Sequence, residues 1–285
     1  MSLSIPPKKY YDRVTGSLLT TNQALSNTRI RLVPFDNEWI ATEVMVCDHK
    51  LFNKGYGLLD NGSHARCMPD DDVDHVGSLA RSRRRALKAV RDIMDCNEFD
   101  WFMTFTLDPE KVDDRTDVQA FTKSLKTYFD NRVRRRGWKY CAVMEYHKRT
   151  EDNGRHALHL HACVSGDDVR LSDSGTTVTR PNGEKVPVYN VTDWSLGFST
   201  AIPTYGNRLA LSRYITKYIT KSDDKIGGRW YYSGGDLLRP VYLYDDVDFE
   251  RFAPDYEFSN DFGAFKLKYF DFGAKIDSLD TLFQR

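Results

Sequence analysis

The amino-acid sequence predicts an α+β protein with a central antiparallel β-sheet and helices packed on one face of that sheet. Two stretches, residues 78–94 and 117–136, repeat apolar side chains at a helical period. Short segments rich in β-branched and aromatic residues lie between and after them, and these favour strands. From residue 99 onward the predicted order is therefore strand, helix, strand, strand, strand, helix, which is typical of an α+β arrangement.

The composition is that of a globular protein. Of the 285 residues, 40% are hydrophobic and 13% aromatic, which suits one large domain or one domain with additions. Scattered Gly and Pro exclude collagen and coiled coil, and no apolar run is long enough to cross a membrane. Five widely spaced cysteines without a CxxC pair predict free thiols in a reducing cytoplasm, not a zinc ribbon.

Net charge is zero, because 41 Lys and Arg balance 41 Asp and Glu. A zero total argues against a nucleic-acid partner, since phosphate binding usually shows as an excess of base. The charge is nevertheless uneven: residues 77–149 carry a net +6 and residues 236–285 a net −5. A neutral total therefore hides a basic centre and an acidic end, and the sequence predicts localised DNA affinity.

Composition and turn signals divide the chain into three parts. Residues 1–76 form an N-terminal extension of unclear role, which ends in an acidic, turn-rich stretch, residues 60–74, that predicts a linker. Residues 77–235 hold the chemistry-bearing motifs, and residues 236–285 form an acidic, aromatic segment that packs on or extends the core. The predicted elements in order are strands at 29–34, 39–47, 99–107, 140–146 and 157–164, a hairpin insertion at 166–190, a strand at 198–202 and a helix at 207–221.

One predicted strand carries two histidines on an otherwise apolar background. His159 and His161 are two residues apart, so they share one face of the strand. Two imidazoles there are costly unless something satisfies them, and a divalent metal with Glu145 from the preceding strand as third ligand would do so. This donor set suits Mg²⁺ or Mn²⁺ acting as a Lewis acid. The alternative is a solvent-facing sheet surface; His156 is out of phase, and His147 stays ambiguous.

One predicted helix repeats Tyr-Ile-Thr-Lys twice without a gap. Tyr214 and Tyr218 are neighbours one turn apart, and Lys217 and Lys221 each follow a tyrosine by three residues. A tyrosine hydroxyl has a pKa near 10, and a nearby ammonium favours the phenolate and neutralises charge on a phosphate. Attack by such a tyrosine on a phosphodiester leaves a covalent 5′-phosphotyrosine. The alternative is an amphipathic helix whose tyrosines rim the core.

Together these residues resemble the HUH endonucleases, specifically the rolling-circle replication initiators of single-stranded DNA phages and related plasmids. Residues 102–107, Phe-Met-Thr-Phe-Thr-Leu, look like the family's first motif, a strand with a mostly structural role. His159-Leu-His161 matches the histidine pair, and Glu145 stands where phage members place a further metal ligand.

The third family motif is the two-tyrosine helix, in which both tyrosines take turns in cleavage and joining. Tyr214-Ile-Thr-Lys217-Tyr218 matches it, Lys217 matches the active-site lysine, and Lys221 holds the same relation to Tyr218. The resemblance covers roughly residues 99–221. Residues 1–76 have no counterpart in the motifs, and the insertion is longer than the core needs.

The resemblance implies a ferredoxin-like or RRM-like α+β core and a replication initiator that nicks one DNA strand at an origin and later rejoins it. It also implies Mg²⁺ or Mn²⁺ as cofactor, single-stranded DNA and an origin as partners, and the cytoplasm of a bacterial host as location. No Walker-type phosphate loop is present in the sequence, so unwinding and synthesis are expected from a host helicase and polymerase.

Basic residues on the two predicted helices are candidates for tracking DNA phosphates. They are Arg83, Arg84, Arg85, Arg132, Arg134, Arg135 and Arg136. Such runs are also typical of solvated helix faces. Three other functions stay open: a relaxase or transposase with the same chemistry, a non-catalytic DNA- or RNA-binding protein, and a metal-dependent hydrolase in which water attacks.

Overall fold

The computed structural model describes residues 26–48, 75–180, 182–204, 208–260 and 263–270. They fall into two compact units, one formed by the described residues of 75–238 and one by those of 26–48 together with 239–270. In chain order the elements are β1 (Thr28–Phe35), β2 (Glu38–Cys47), α1 (His75–Cys96), β3 (Trp101–Thr106), α2 (Val118–Arg136), β4 (Lys139–Thr150), β5 (His156–Ser165), β6 (Leu171–Thr179), β7 (Lys185–Val191), β8 (Ser199–Pro203), α3 (Arg208–Lys221), β9 (Tyr232–Gly234), β10 (Val241–Asp245), β11 (Tyr256–Asn260) and β12 (Gly263–Tyr269).

The larger unit is built on a seven-stranded sheet with the order β6-β7-β8-β3-β5-β4-β9. All of its neighbouring strands pair antiparallel, so the predicted α+β class with a central antiparallel sheet is confirmed. Strand β5, which carries the histidine pair, lies between β3 and β4 in the middle of the sheet. Side chains of three adjacent strands therefore meet around it.

Helices cover both faces of this sheet, so the expectation that they pack on one face was wrong. On one face, Phe121 and Phe129 of α2 pack with Leu160 and neighbouring strand residues. On the other, α1 and α3 pack with Val143 and Cys163. The physical reason is that the central strands are apolar on both sides, and each apolar face must be removed from water.

Helix α2 forms where its sequence caps it. The carboxylate of Asp117 accepts hydrogen bonds from the backbone N–H groups of Gln119 and Ala120, which have no partner inside the helix. Gly137, with φ of 60°, ends the helix in the left-handed conformation that glycine adopts without strain. The predicted bounds, residues 117–136, agree with the observed helix because both caps are visible in the sequence.

The insertion forms the predicted hairpin. Strands β6 and β7 pair antiparallel, and Tyr189 of β7 pairs with Ala201 of β8, which attaches the hairpin to the sheet. Gly183 takes a left-handed φ of 85° in the connecting turn. Pro181 of the predicted turn and Asn207 at the predicted start of the last helix lie outside the described residues.

The smaller unit is a five-stranded antiparallel sheet with the order β10-β1-β2-β12-β11. The β1–β2 hairpin turns at Asp36 and Asn37, which both have positive φ, as its two-residue loop requires. Leu32 of β1 pairs with Val241 of β10, so segments far apart along the chain share one sheet. The predicted linker at 60–74 lies outside the described residues.

Two further expectations concern cysteines and membranes. The four described cysteines, Cys47, Cys96, Cys141 and Cys163, are free and buried, as predicted, and Cys67 lies outside the described residues. Among the helices that the structure describes, none combines the length and the hydropathy that a membrane span requires.

Candidate functional site

Strand pairing brings the predicted metal ligands together. Glu145 of β4 lies directly opposite His159 of β5, and His161 lies opposite Thr104 of β3. Because side chains alternate along a strand, Glu145, His159 and His161 lie on the same face of the sheet. The sequence placed the same three side chains together from their spacing and an expected hairpin.

Helix α3 lies on that face and brings both tyrosines to the histidine pair. The ring of Tyr218 stacks on His161, with centroids 3.8 Å apart and planes 17° from parallel. Tyr214 packs edge-on against Tyr218 at 5.5 Å and against Phe102 at 4.9 Å. Buried Ile215 anchors the helix in the core, so the apolar stripe predicted beside the tyrosines orients them.

The two tyrosines differ in exposure. Tyr218 is 6% exposed, whereas Tyr214 is 46% exposed. Burial, together with the hydroxyl of Tyr214, raises the pKa of Tyr218 above its usual range, so Tyr218 stays a neutral phenol in this arrangement. Of the two, Tyr214 presents the larger surface to an incoming strand.

Glu145 lies between an imidazole and an ammonium. Its Oε2 lies 3.1 Å from His161 Nε2, and its Oε1 accepts a 2.9 Å hydrogen bond from Lys221 Nζ. Burial opposes ionisation of this carboxyl, but hydrogen bonds and charge from Lys221 and His161 outweigh it and lower the pKa. Glu145 is therefore an anion at neutral pH, and Lys221 is its cationic partner.

The second imidazole, His159, has an unsatisfied nitrogen. Its Nε2 is buried without a hydrogen-bond partner among the described residues, and its ring stacks on His147 with centroids 4.6 Å apart. Burial and the neighbouring imidazoles of His147 and His161 lower the pKa of His159 to about 4. At neutral pH His159 is an uncharged imidazole, which is the form that binds a metal.

These observations test whether a divalent cation fits. The donor chemistry does, since a neutral imidazole with an orphaned nitrogen lies next to a second imidazole and an ionised carboxylate. As the side chains stand, however, no three or more His, Cys, Asp or Glu residues in the described part of the chain are grouped to hold a metal. Lys221 occupies the carboxylate, so an ion would have to displace its ammonium.

Two neighbours of the site were not identified from the sequence. Thr104 Oγ1 lies 3.1 Å from His161 Nδ1 and orients that ring, and His147 stacks on His159. Both had a signal, because Thr104 is a polar residue in an apolar strand and His147 is two residues beyond Glu145 on the same face. His156 is exposed, and as its phase predicted, it lies on the opposite face, beside Tyr146.

The two lysines of the helix have different surroundings. Lys221 contacts Glu145, and its Nζ lies 5.2 Å from the Tyr218 ring centroid. Lys217 is exposed, and its ammonium forms no ion pair or hydrogen bond with any residue that the structure describes. Equal spacing in the sequence thus gives one lysine in the site and one at its edge.

The candidate DNA-binding arginines are separated by the sheet. Arg132 and Arg136 of α2 form ion pairs with Asp193, at 3.0 and 2.6 Å, on the face opposite the tyrosines. Arg134 and Arg135 are exposed on the same helix. On the tyrosine face, Arg83 donates to the carbonyl of Ser222 at 3.5 Å, Arg84 is exposed, and Arg85 lines a cleft.

Comparison with known proteins places a family on this part of the chain. Residues 100–223 match the family of replication-associated proteins of the ORF2 type. No curated protein and no solved structure gave a significant match. The matched residues begin just before β3 and end just after α3, so they include the histidine pair and both tyrosines, and they support assignment of this region to a replication initiator family.

Proposed function

We propose that this protein is a replication initiator that nicks single-stranded or melted DNA at an origin through attack by a tyrosine, and later rejoins the strand. The observation that carries the proposal is the stacking of Tyr218 on His161, which sets the two-tyrosine helix against the histidine pair. The match to replication-associated proteins supports the initiator role.

The chemistry is one phosphoryl transfer in each direction. A tyrosine oxygen bonds to the phosphorus, the bond from phosphorus to the 3′ oxygen breaks, and the phenol proton is balanced by protonation of the released 3′-OH. The protein keeps the 5′-phosphate as a phosphotyrosine, and the 3′-OH serves as a primer. In rejoining, a 3′-OH attacks that linkage and the tyrosine leaves with a proton.

His159, His161 and Glu145 would hold Mg²⁺ or Mn²⁺, which supplies Lewis-acid polarisation of the scissile phosphate. Thr104 keeps the His161 ring in place through its Nδ1, and burial keeps both imidazoles neutral. Lys221 carries the carboxylate's counter-charge in the protein without an ion.

Tyr214 makes the first attack in this proposal. It is the more exposed tyrosine, and the ammonium of nearby Lys217, which has no partner among the described residues, can neutralise charge growing on the phosphate. Tyr218 must turn out of its stack on His161 before its oxygen can reach a phosphate. It therefore serves the second cleavage, after a round of synthesis by host enzymes.

A covalent-adduct assay tests the proposal. The protein is incubated with a pool of random-sequence single-stranded oligonucleotides and Mn²⁺ or Mg²⁺, and a denaturation-resistant protein–DNA adduct is expected. The adduct is lost with chelator and in the Tyr214→Phe/Tyr218→Phe variant. Cleavage without an adduct indicates a hydrolase that uses water, and binding without cleavage indicates a non-catalytic protein; either result overturns the proposal. Sequencing the adduct DNA separates one origin-like site from the end sequences of a relaxase or transposase.

A further inference from the structure

A basic cleft lies on the tyrosine face of the larger unit, between α1 and the segment that follows α3. Its volume is about 470 Å³, and it is lined by Arg85 of α1 and by Lys225, Gly228 and Arg229 of that segment. No acidic side chain is among the lining residues. The cleft thus concentrates positive charge in a small space.

The three cations of the cleft have no counter-ion in the part of the chain that the structure describes. Arg85, Lys225 and Arg229 form no ion pair with any residue of those ranges. This contrasts with Arg132 and Arg136 on the opposite face, which share Asp193. Like charges held together repel one another and are stabilised by an anionic ligand, so the cleft is complementary to phosphate.

The cleft is held in shape by the chain itself. A tight turn at residues 226–229 uses left-handed φ values of 63° and 75° at Gly227 and Gly228, which places Lys225 and Arg229 at its two ends. Buried Trp230 donates from Nε1 to Ser82 Oγ at 3.1 Å, which fixes this segment on α1. The charges are therefore preorganised and need little ordering when a ligand binds.

The cleft is close to the tyrosines. Lys225 follows Lys221 by four residues, so their Cα atoms are at most roughly 14 Å apart. Lys221 contacts Glu145 in the candidate site, and Arg83 of α1 donates to the carbonyl of Ser222. A strand whose phosphate reaches the tyrosines can therefore continue into the cleft.

We propose that this basic cleft binds the phosphodiester backbone of single-stranded DNA next to the phosphate that the tyrosines attack. The inference rests on the proposed function. Its small volume admits one strand and excludes the two strands of a duplex. The contacts are made by charge, so the cleft binds without regard to base sequence.

Binding is measured in the uncleaving Tyr214→Phe/Tyr218→Phe background, with fluorescently labelled oligodeoxythymidine titrated at several salt concentrations. Arg85→Gln/Arg229→Gln is compared with Lys123→Gln/Lys126→Gln, which removes two exposed cations from α2 on the opposite face. The slope of log K against log salt should become shallower by roughly 1.4 for the cleft variant, from about 0.7 for each lost phosphate contact. The control should keep the parental slope, and both variants should unfold at the parental temperature.

Equal slopes for the cleft variant and its parent overturn the inference, and so does an equal loss in the control. A lower affinity for duplex of the same length that matches the loss for single strands also overturns it, because that indicates general electrostatics. The wild-type adduct assay is read separately: an adduct with an unchanged cleft slope refutes this inference alone, and a changed slope without any adduct refutes the nicking proposal alone.

Discussion

Lys221 Nζ lies 2.9 Å from Glu145 Oε1, so an ammonium from the tyrosine helix occupies the carboxylate that the metal proposal needs. Both side chains are partly exposed, and such pairs are worth roughly 0.5–1 kcal/mol. A divalent cation must replace this contact before it can bind all three donors. Lys221 therefore lowers metal affinity in the protein without DNA.

Replacing Lys221 with methionine should tighten Mn²⁺ binding by roughly 2- to 5-fold, because the competing cation is gone and the carboxylate is available. Isothermal titration calorimetry on the DNA-free protein measures this directly. Lys217→Met is the matched control, since it makes the same change on the same helix at an ammonium that has no partner among the described residues. Weaker binding in Lys221→Met, or an equal gain in the control, would contradict the relationship.

The two tyrosines should separate in single-turnover experiments. Tyr214→Phe is expected to slow the first covalent adduct by at least roughly 100-fold, because the exposed nucleophile is lost. Tyr218→Phe should still form that adduct but fail in the second cleavage that releases a joined strand. Gel analysis of labelled DNA distinguishes the two steps. If Tyr218→Phe alone removes the first adduct, the order proposed for the tyrosines is reversed.

His159 offers a test in which stability and function move in opposite directions. Its buried Nε2 has no partner among the described residues, and an unsatisfied buried group costs about 1–3 kcal/mol. In chelator, His159→Leu should therefore be as stable as the wild type or more stable, by about 1 kcal/mol. Added Mn²⁺ should raise the Tm of the wild type and not that of the variant.

Thermal unfolding with and without Mn²⁺ measures both effects. His156→Leu serves as control, because that imidazole is exposed on the other face and should change neither quantity. A large loss of stability in His159→Leu without metal would show that the imidazole is a structural group.

Asp193 should make stability depend on acid. Burial opposes its ionisation, but Tyr128, Arg132 and Arg136 outweigh burial and lower its pKa below the ordinary 3.8. A carboxyl with a lowered folded-state pKa stabilises the protein above about pH 3.8, and this contribution is lost as pH falls through the folded-state pKa. Asp193→Asn should cost about 2 kcal/mol at pH 7.

The difference between wild type and Asp193→Asn should shrink as pH falls below 3.8, which denaturant titration at several pH values measures. The variant should still form the covalent adduct, because Asp193 lies on the face opposite the tyrosines. A difference that is constant from pH 7 to pH 3 would mean that Asp193 is not ionised in the folded protein.

Much of the larger unit could be predicted from local signals. The caps of α2 at Asp117 and Gly137 and the alternation in β5 are written in short stretches of sequence, and each decides a conformation through nearest neighbours. The same alternation put His159 and His161 on one face. What it could not show was that both faces of the sheet are covered by helices, because partner helices lie far away along the chain.

The site itself depended on distant contacts. Spacing placed Lys217 and Lys221 in identical relation to a tyrosine, but only the packing of α3 on the sheet put Lys221 against Glu145 and left Lys217 exposed. The pairing of Arg132 and Arg136 with Asp193 was equally invisible, since the acid comes from the segment after β7.

The sequence by itself determined the strand and helix periods, the histidine pair, the paired tyrosines and the uneven charge, because each depends on residues a few positions apart. Tertiary structure decided which tyrosine is exposed, which lysine meets Glu145 and which basic residues line the cleft. It also paired Leu32 with Val241 from a distant part of the chain. Burial and electrostatic partners depend on all neighbours in space, and spacing along a chain does not contain them.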